Sequence, residues 1–222
     1  MGYAIAIDGP AGAGKSSIAK RLAEKLGYIY VDTGALYRTI GLAVHREAGN
    51  CEDPETISKI AADVRVDLGY NEKGQRVYLG EEDVSEEIRR EEIGHMASVV
   101  SAVPYVREHL LDLQRDMAKA HDVIMDGRDI GTVILPDADL KLFLVCPAEE
   151  RARRRVLQLE EAGMEADYDQ ILKDIHLRDE RDTTREISPL RKADDAVEFS
   201  TVGMTADQSV DKIIEQCGLE KK

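Results

Sequence analysis

Eight residues, Gly9-Pro10-Ala11-Gly12-Ala13-Gly14-Lys15-Ser16, constrain this chain more than any others. They fit G-x-x-x-x-G-K-[ST], and both flanks are of the kind that turns such a string into a phosphate site. An apolar run, Tyr3-Ala4-Ile5-Ala6-Ile7 ending in Asp8, precedes them, and a helical pattern follows. The glycines let the backbone curl so that successive N–H groups point inward, and the next helix adds its positive N-terminal end. Such a nest binds polyphosphate. Lys15 is placed to span the β- and γ-phosphates, and the Ser16 hydroxyl to complete the shell of a Mg²⁺ ion that keeps several waters. The alternative, a glycine-rich turn that happens to precede a lysine, leaves both flanks unexplained.

After the nest, Ile18, Leu22 and Leu26 recur at helical spacing, and Gly27 closes the helix. Tyr28-Ile29-Tyr30-Val31 then reads as a short buried strand. Strand, nest, helix, strand is a βαβ unit with a parallel, right-handed crossover. Ligands of such sheets gather at the carboxyl ends of the strands. Asp32-Thr33-Gly34-Ala35-Leu36-Tyr37-Arg38 is therefore expected at the same rim as the nest. Thr33 is read as the cap of the next helix, and Arg38 sits about a turn and a half inside it. A cap followed by a solvated arginine is the other reading of that segment.

Asp53-Pro54 begins a further helix, expected to Ala62. The texture then changes. Val64 to Leu68 and Arg76 to Leu79 alternate about the turn Asn71-Glu72-Lys73-Gly74, which predicts an antiparallel hairpin inside an otherwise βα chain. Glu81 to Glu92 reads as a solvated, charged helix face. Beyond Pro104, Val106, Leu110, Leu111 and Leu113 mark a helix that carries Arg107. Val123-Ile124-Met125 is a buried strand, and Asp126-Gly127-Arg128-Asp129 falls where its carboxyl end should face the nest. Asp126 either orients Mg²⁺ through water or begins a turn with Gly127. Lys141 to Val145 is another strand, Pro147 opens a helix, Val197 to Ser200 is the last strand, and Thr205 and Gly218 bound the last helix.

A length of 222 residues suits one large α/β core or a core with a small insertion, and no apolar run approaches a membrane span of about 20 residues. The opening residues lack a basic region followed by an apolar stretch, and Ala6 breaks the myristoylation pattern, so a cytoplasmic protein is expected. Cys51, Cys146 and Cys217 show no pairing or metal-ligand rhythm and read as reduced, packing thiols. A net charge of −14 argues against a nucleic-acid polymer as partner, because phosphate backbones demand a basic face. An anionic substrate must therefore meet local arginines. Two clusters supply them. One is Arg151, Arg153, Arg154 and Arg155, whose mutual repulsion is relieved by the preceding glutamates or by a visiting anion. The other is Arg178, Arg181, Asp182 and Arg185 on one helix, with 178, 182 and 185 sharing a face. Surface ion pairs are the bland alternative for each.

Taken together, Ile7 to Ser17, Asp32 to Arg38, Asp126 to Thr132 and Arg178-Asp179-Glu180-Arg181-Asp182 closely resemble the bacterial cytidylate kinase family, nearly end to end. The resemblance implies a P-loop kinase fold: an α/β core with a central parallel five-stranded sheet flanked by helices, plus a small inserted subdomain of antiparallel β and helix. It places the core at 1–62 and 100–222 with a short lid near 151–165, and part of the monophosphate-binding subdomain at 63–99. It implies transfer of the γ-phosphoryl of Mg·ATP to CMP or dCMP by a monomer that needs neither nucleic acid nor membrane. By position, Gly9, Pro10, Ala11, Gly12, Ala13, Gly14, Lys15, Ser16 and Ser17 would hold ATP, with Ser16 and Asp126 toward the metal. Lys15, Arg128, Arg151, Arg154 and Arg155 would serve catalysis. Thr33, Arg38 and Arg128 would hold the acceptor phosphate; Ser98, Arg107, Asp129 and Arg185 would approach cytosine, and Arg178 and Asp182 the sugar. Thr33 stands where the family has Ser, which keeps the hydroxyl and adds a methyl.

The chemistry agrees on its own terms. Phosphoryl transfer needs positioning and charge neutralisation more than covalent help. A carboxylate such as Asp129 accepts from the exocyclic amine of cytosine, whereas uracil presents a carbonyl and leaves it unpaired. Rival readings are another small-molecule P-loop kinase, acting on UMP, AMP or shikimate, and a nucleotide-gated regulatory NTPase. The hairpin insertion and the 178/182/185 face speak against the first. The lack of an N-K-x-D motif or a long switch-like loop speaks against the second.

Overall fold

A computed structural model describes residues 2–72 and 74–220, so Lys73 of the expected turn lies outside the described residues. The elements run β1 (Ala4–Asp8), α1 (Lys15–Leu26), β2 (Ile29–Asp32), α2 (Thr33–Ala48), α3 (Pro54–Asp63), β3 (Val66–Asn71), β4 (Gly74–Leu79), β5 (Glu82–Asp83), α4 (Glu91–Val100), α5 (Pro104–Ala120), β6 (Val123–Gly127), β7 (Leu140–Val145), α6 (Ala148–Glu161), α7 (Tyr168–Thr184), β8 (Val197–Ser200) and α8 (Ala206–Cys217). The chain divides into two compact units, one built on Tyr30–His121, the other on Tyr3–Ile29 and Asp122–Lys222.

A five-stranded parallel sheet has the order β2-β6-β1-β7-β8. Its middle strands are mainly apolar, and Ile5, Ile7, Ile124 and Leu144 are wholly buried, as strands covered by helices on both faces must be. Each such side chain contributes about 1.5–3 kcal/mol relative to exposure. Register decides where the loops emerge. Ile7 pairs with Asp126 and Asp8 with Gly127 on one side of β1, while Asp8 pairs with Phe143 on the other. The carboxyl ends of β1, β6 and β7 therefore open at one level. Pairing of β7 with β8 carries this edge on to Ser200, opposite Val145.

In the unit built on Tyr30–His121, the hairpin pairs Val66 with Leu79 and Asn71 with Gly74. A third strand, β5, extends it, pairing Leu79 with Glu82. The core collects Leu36, Ile40 and Val44 from α2, Ile57 from α3, Ile93 and Met96 from α4 and Leu110 from α5. Gly41 of α2 sits so close to α4 that an added Cβ would lie 3.1 Å from both the Ala97 nitrogen and the Met96 Cβ.

Several local expectations change. Asp32, not Thr33, caps α2, its carboxylate accepting from the Ala35 N–H at 3.1 Å; Thr33 is the first helical residue and is buried. Glu81 to Glu92 is not a solvated helix. It contains β5 and a tight turn at Glu87–Arg89, and Val84 and Ile88 are buried, so the charge density of the stretch hid its two anchoring side chains. Pro147 is the cap of α6 rather than its first residue. Arg185 lies one residue beyond α7, with φ −57° and ψ 141°, so it leaves the helix face that 178 and 182 share.

Candidate active site

β1 delivers the chain to the nest at Gly9, where φ is +146° and a Cβ would come within 2.5 Å of the Leu144 carbonyl oxygen. Only glycine lets the loop leave the sheet against β7 at this point. Gly14, at φ +92°, then starts α1 in a left-handed conformation. A backbone that aims its N–H groups inward turns carbonyls outward, and those need partners. Pro10 O accepts from Lys15 Nζ at 2.7 Å, Ala11 O from Arg151 Nη1 at 3.0 Å and Ala13 O from Thr201 Oγ1 at 3.1 Å.

Lys15 is buried. Desolvation, and next the Arg128 charge, push its pKa well below the usual lysine range, against the pull of Asp126. Ser16 Oγ donates to Asp126 Oδ2 at 2.9 Å, so two hard oxygen donors stand side by side at the foot of the nest. Among the described residues no three His, Cys, Asp or Glu side chains converge as a metal cage. One hydroxyl and one carboxylate beside a phosphate nest suit Mg²⁺, which keeps most of its shell as water and substrate oxygen.

Asp8 accepts the N–H groups of Ile130 and Gly131, both at 2.8 Å. Burial outweighs those two hydrogen bonds and raises its carboxyl to about 6. The pair of bonds anchors the loop after β6, where the Ile134 N–H reaches Asp129 O and the Leu135 N–H reaches Ile130 O across wide i→i+5 turns. Such turns are frequent where a helix is distorted for function.

Arg128 and Asp129 emerge from that loop. Arg128 Nε donates to Asp182 Oδ2 at 2.8 Å. Burial opposes the Arg128 charge, but Asp182, with Asp126 and Asp8, overrides it and moves the pKa up. Burial likewise would raise Asp182, yet Arg128, Arg178 and Arg185 hold it below the usual carboxylate range. Asp129 is buried, with Arg185 Nη2 3.5 Å from its Oδ1. Arg185 Nε is fixed by Ser188 O at 2.7 Å. The charge of Arg178 reaches both Lys15 and Asp182. Thus Lys15, Ser16, Asp126, Arg128, Asp129, Arg178, Asp182 and Arg185 all belong to one compact unit and stand about the carboxyl ends of its strands.

From the α6 cluster, Arg151 is bound to the nest, and Arg154 donates to Thr201 O at 2.7 Å and to Glu150 at 3.2 Å. Arg153 is exposed and Arg155 half-buried.

The remaining candidates lie in the unit built on Tyr30–His121. Thr33 starts α2 and Arg38 is half-buried on it. Gln75 of β4 clips the Asp32 backbone from both sides: its Oε1 accepts the Asp32 N–H at 2.8 Å and its Nε2 donates to Asp32 O at 3.2 Å. Arg107 is buried, donates to Ser101 O at 3.2 Å and lies over the Tyr37 ring at 5.5 Å. Ser98 Oγ is buried and has no hydrogen-bond partner among the described residues.

Sequence reasoning missed Asp8, Gln75, Asp179 and Thr201. A hydrophilic residue closing an apolar strand was the one signal for Asp8. The other three gain their meaning only from partners far along the chain.

The family model described as cytidylate kinase matches residues 5–218. The chain is 47% identical over 215 residues to the cytidylate kinase of Exiguobacterium sp. strain AT1b, covering 96% of each chain. It is 49% identical over 211 residues to that of Caldicellulosiruptor saccharolyticus, covering 95% of this chain and 93% of the relative. Among solved structures, an uncharacterised protein from Eubacterium ventriosum shares the fold with a TM-score of 0.53 at 14% identity, over 98% of this chain and 99% of that one.

Proposed function

The chain belongs to the cytidylate kinase family, and we propose that it transfers the γ-phosphoryl group of ATP to CMP or dCMP, giving ADP and CDP or dCDP. An oxygen of the acceptor phosphate attacks the γ-phosphorus while the bond to the bridging oxygen of ADP breaks. The observation that carries the reading within the site is the meeting of a phosphate nest with a buried Asp126-Gly127-Arg128-Asp129 loop held by Asp182 and Arg185.

Residues 9–17 hold the donor, Lys15 along its β- and γ-phosphates. Ser16 and Asp126 would hold a magnesium ion, which would supply charge neutralisation; the 2.9 Å pairing of the two side chains supports that assignment. Lys15, Arg128, Arg154 and Arg155 contribute positive charge around the transferred group, whereas Arg151, its donors taken by Cys146 O, Ala11 O and Asp179, supports the nest from behind. Arg128 takes the acceptor phosphate, Asp129 and Arg185 the base, and Arg178 and Asp182 the sugar. The family resemblance adds Thr33 and Arg38 for the acceptor phosphate and Ser98 and Arg107 for the base. A buried hydroxyl without a partner, as at Ser98, costs on the order of 1–3 kcal/mol, so a ligand that pairs with it is favoured. The same reading makes the protein a cytoplasmic monomer of pyrimidine nucleotide metabolism, with 63–99 as the inserted part of its monophosphate subdomain and 151–165 as its lid.

A coupled ADP-release assay with Mg·ATP and CMP, dCMP, UMP, AMP or shikimate, each alone, tests the proposal. Turnover with CMP and dCMP well above the rest is expected. Equal, slow release with every acceptor would mean that the nest binds ATP and the acceptor assignment is wrong.

A further inference from the structure

We propose that Asp179, which the reaction does not touch, is a positioning residue for the phosphate nest and acts through Arg151. The nest is held open from behind. Its outward carbonyls at Ala11 and Ala13 are met by side chains from the far end of the same unit, Arg151 directly and Thr201 under the guanidinium of Arg154. The stem of Arg151 lies against Gly12, whose added Cβ would stand 3.5–3.6 Å from its Cβ, Cγ and Cδ. Its head spends its donors on fixed acceptors: Nε on Cys146 O at 3.0 Å, Nη1 on Ala11 O and on Asp179 Oδ1, both at 3.0 Å, and Nη2 on Asp179 Oδ2. The Arg151 side chain is 4% exposed and that of Asp179 24%, so the guanidinium is the sheltered partner of the pair.

Asp179 is the one anionic partner in that set, and its two oxygens face the two Nη atoms as a fork. A guanidinium gripped on one edge by Asp179 and on Nε by Cys146 has one orientation left for Nη1, toward Ala11 O. Without the carboxylate, a buried cation beside the nest would turn toward the polyphosphate and release the Ala11 carbonyl, and the N–H groups on either side of that peptide would lose their aim. The same helix anchors the acceptor loop one turn further on, where Asp182 holds Arg128 at 2.8 Å. Asp179 and Asp182, three apart on α7, therefore face the donor loop and the Arg128 loop from a single rigid element.

This inference rests on reading the nest as the donor site, and direct binding separates its failure from failure of the acceptor assignment. ATP and CMP binding are measured separately by calorimetry for the parent, Asp179→Asn, Asp179→Ala, Arg151→Ala and the Asp179→Ala/Arg151→Ala double variant, alongside steady-state kinetics. Asp179→Ala should weaken ATP binding and raise KM for ATP by about tenfold, the loss of one charge-assisted pairing, while kcat and CMP affinity stay within about twofold. In the Arg151→Ala background it should add nothing further. Should Asp179→Ala fail to fold, Asp179→Asn, which keeps the volume and one accepting oxygen, should show the same pattern at smaller amplitude. ATP affinity within twofold of the parent, an equal fall for ATP and CMP, or additive losses in the double variant would each overturn the proposal.

Discussion

At the residue scale, the charges around the nest are held where water cannot screen them, and pH reads the cost. Asp8 has two N–H donors and still titrates near 6, because burial outweighs them. The unfolded chain releases this proton near 3.8 and the folded chain near 6. Folded protein is thus favoured below the lower value, loses that advantage as pH rises between the two, and has lost all of it above about 6. At roughly 1.4 kcal/mol per pH unit this amounts to about 3 kcal/mol. Asp8→Asn removes the titration and leaves one of the two loop N–H groups facing an amide, a penalty that does not vary with pH. Urea unfolding of both proteins from pH 4 to pH 7.5 should show the parent's advantage shrinking up to about pH 6 and then levelling. A constant difference would mean that Asp8 is ionised throughout. Legibility at this scale follows distance along the chain. Lys15 and Ser16 could be read as candidates from their own motif, but the carboxylate that Ser16 meets, Asp126, lies 110 residues further on. Asp8 bonds N–H groups 122 and 123 residues away, and Thr201 reaches back 188 residues to Ala13.

At the scale of elements, two helical glycines separate propensity from packing. Gly94 of α4 has nothing within 4 Å of where a Cβ would stand, whereas Gly41 of α2 is pressed against α4 itself. Gly94→Ala should stabilise the protein by about 0.5–1 kcal/mol through the unfolded chain. Gly41→Val should destabilise it by about 1–3 kcal/mol, since its methyl groups meet backbone that cannot yield without parting the helices. Denaturant midpoints of the two variants check this, and equal shifts of one sign would contradict it. The hairpin and the ends of α8 were legible because turn residues and caps are local chemistry; Thr205 and Gln208 form a reciprocal capping box, as the spacing allows. The stretch from Glu81 to Glu92 was not, because two buried side chains among many charges leave no period to follow. Arg185 was misplaced for a similar reason: helical spacing continues past Thr184, but the chain turns there, Ser188 at φ +49° soon after.

At the scale of the whole molecule, a chain of net charge −14 handles anionic nucleotides only through locally concentrated cations. Water competes with the acceptor for the γ-phosphoryl group, so a kinase must make transfer depend on the acceptor's presence. Phosphate release from Mg·ATP alone should run at on the order of a hundredth, or less, of the ADP release seen with saturating CMP. Comparable rates would show that the acceptor does not govern the chemistry.

Residues close along the chain carry their own signal: the nest with its lysine and serine, the β- and α-periods, the turn chemistry, and a motif set specific enough to identify the family. What stands behind that site came from packing. Strand order brings the ends of β1, β6 and β7 to one level, and this seats Asp126 beside Ser16 and Asp8 beneath Ile130. The position of α7 makes Asp179 a partner of Arg151 and Asp182 a partner of Arg128. The reason is physical: periodicity and caps record the neighbours within a turn or two, whereas the outward carbonyls of a loop and the charges buried beside it take their partners from whichever segments the packed sheet brings within about 3 Å.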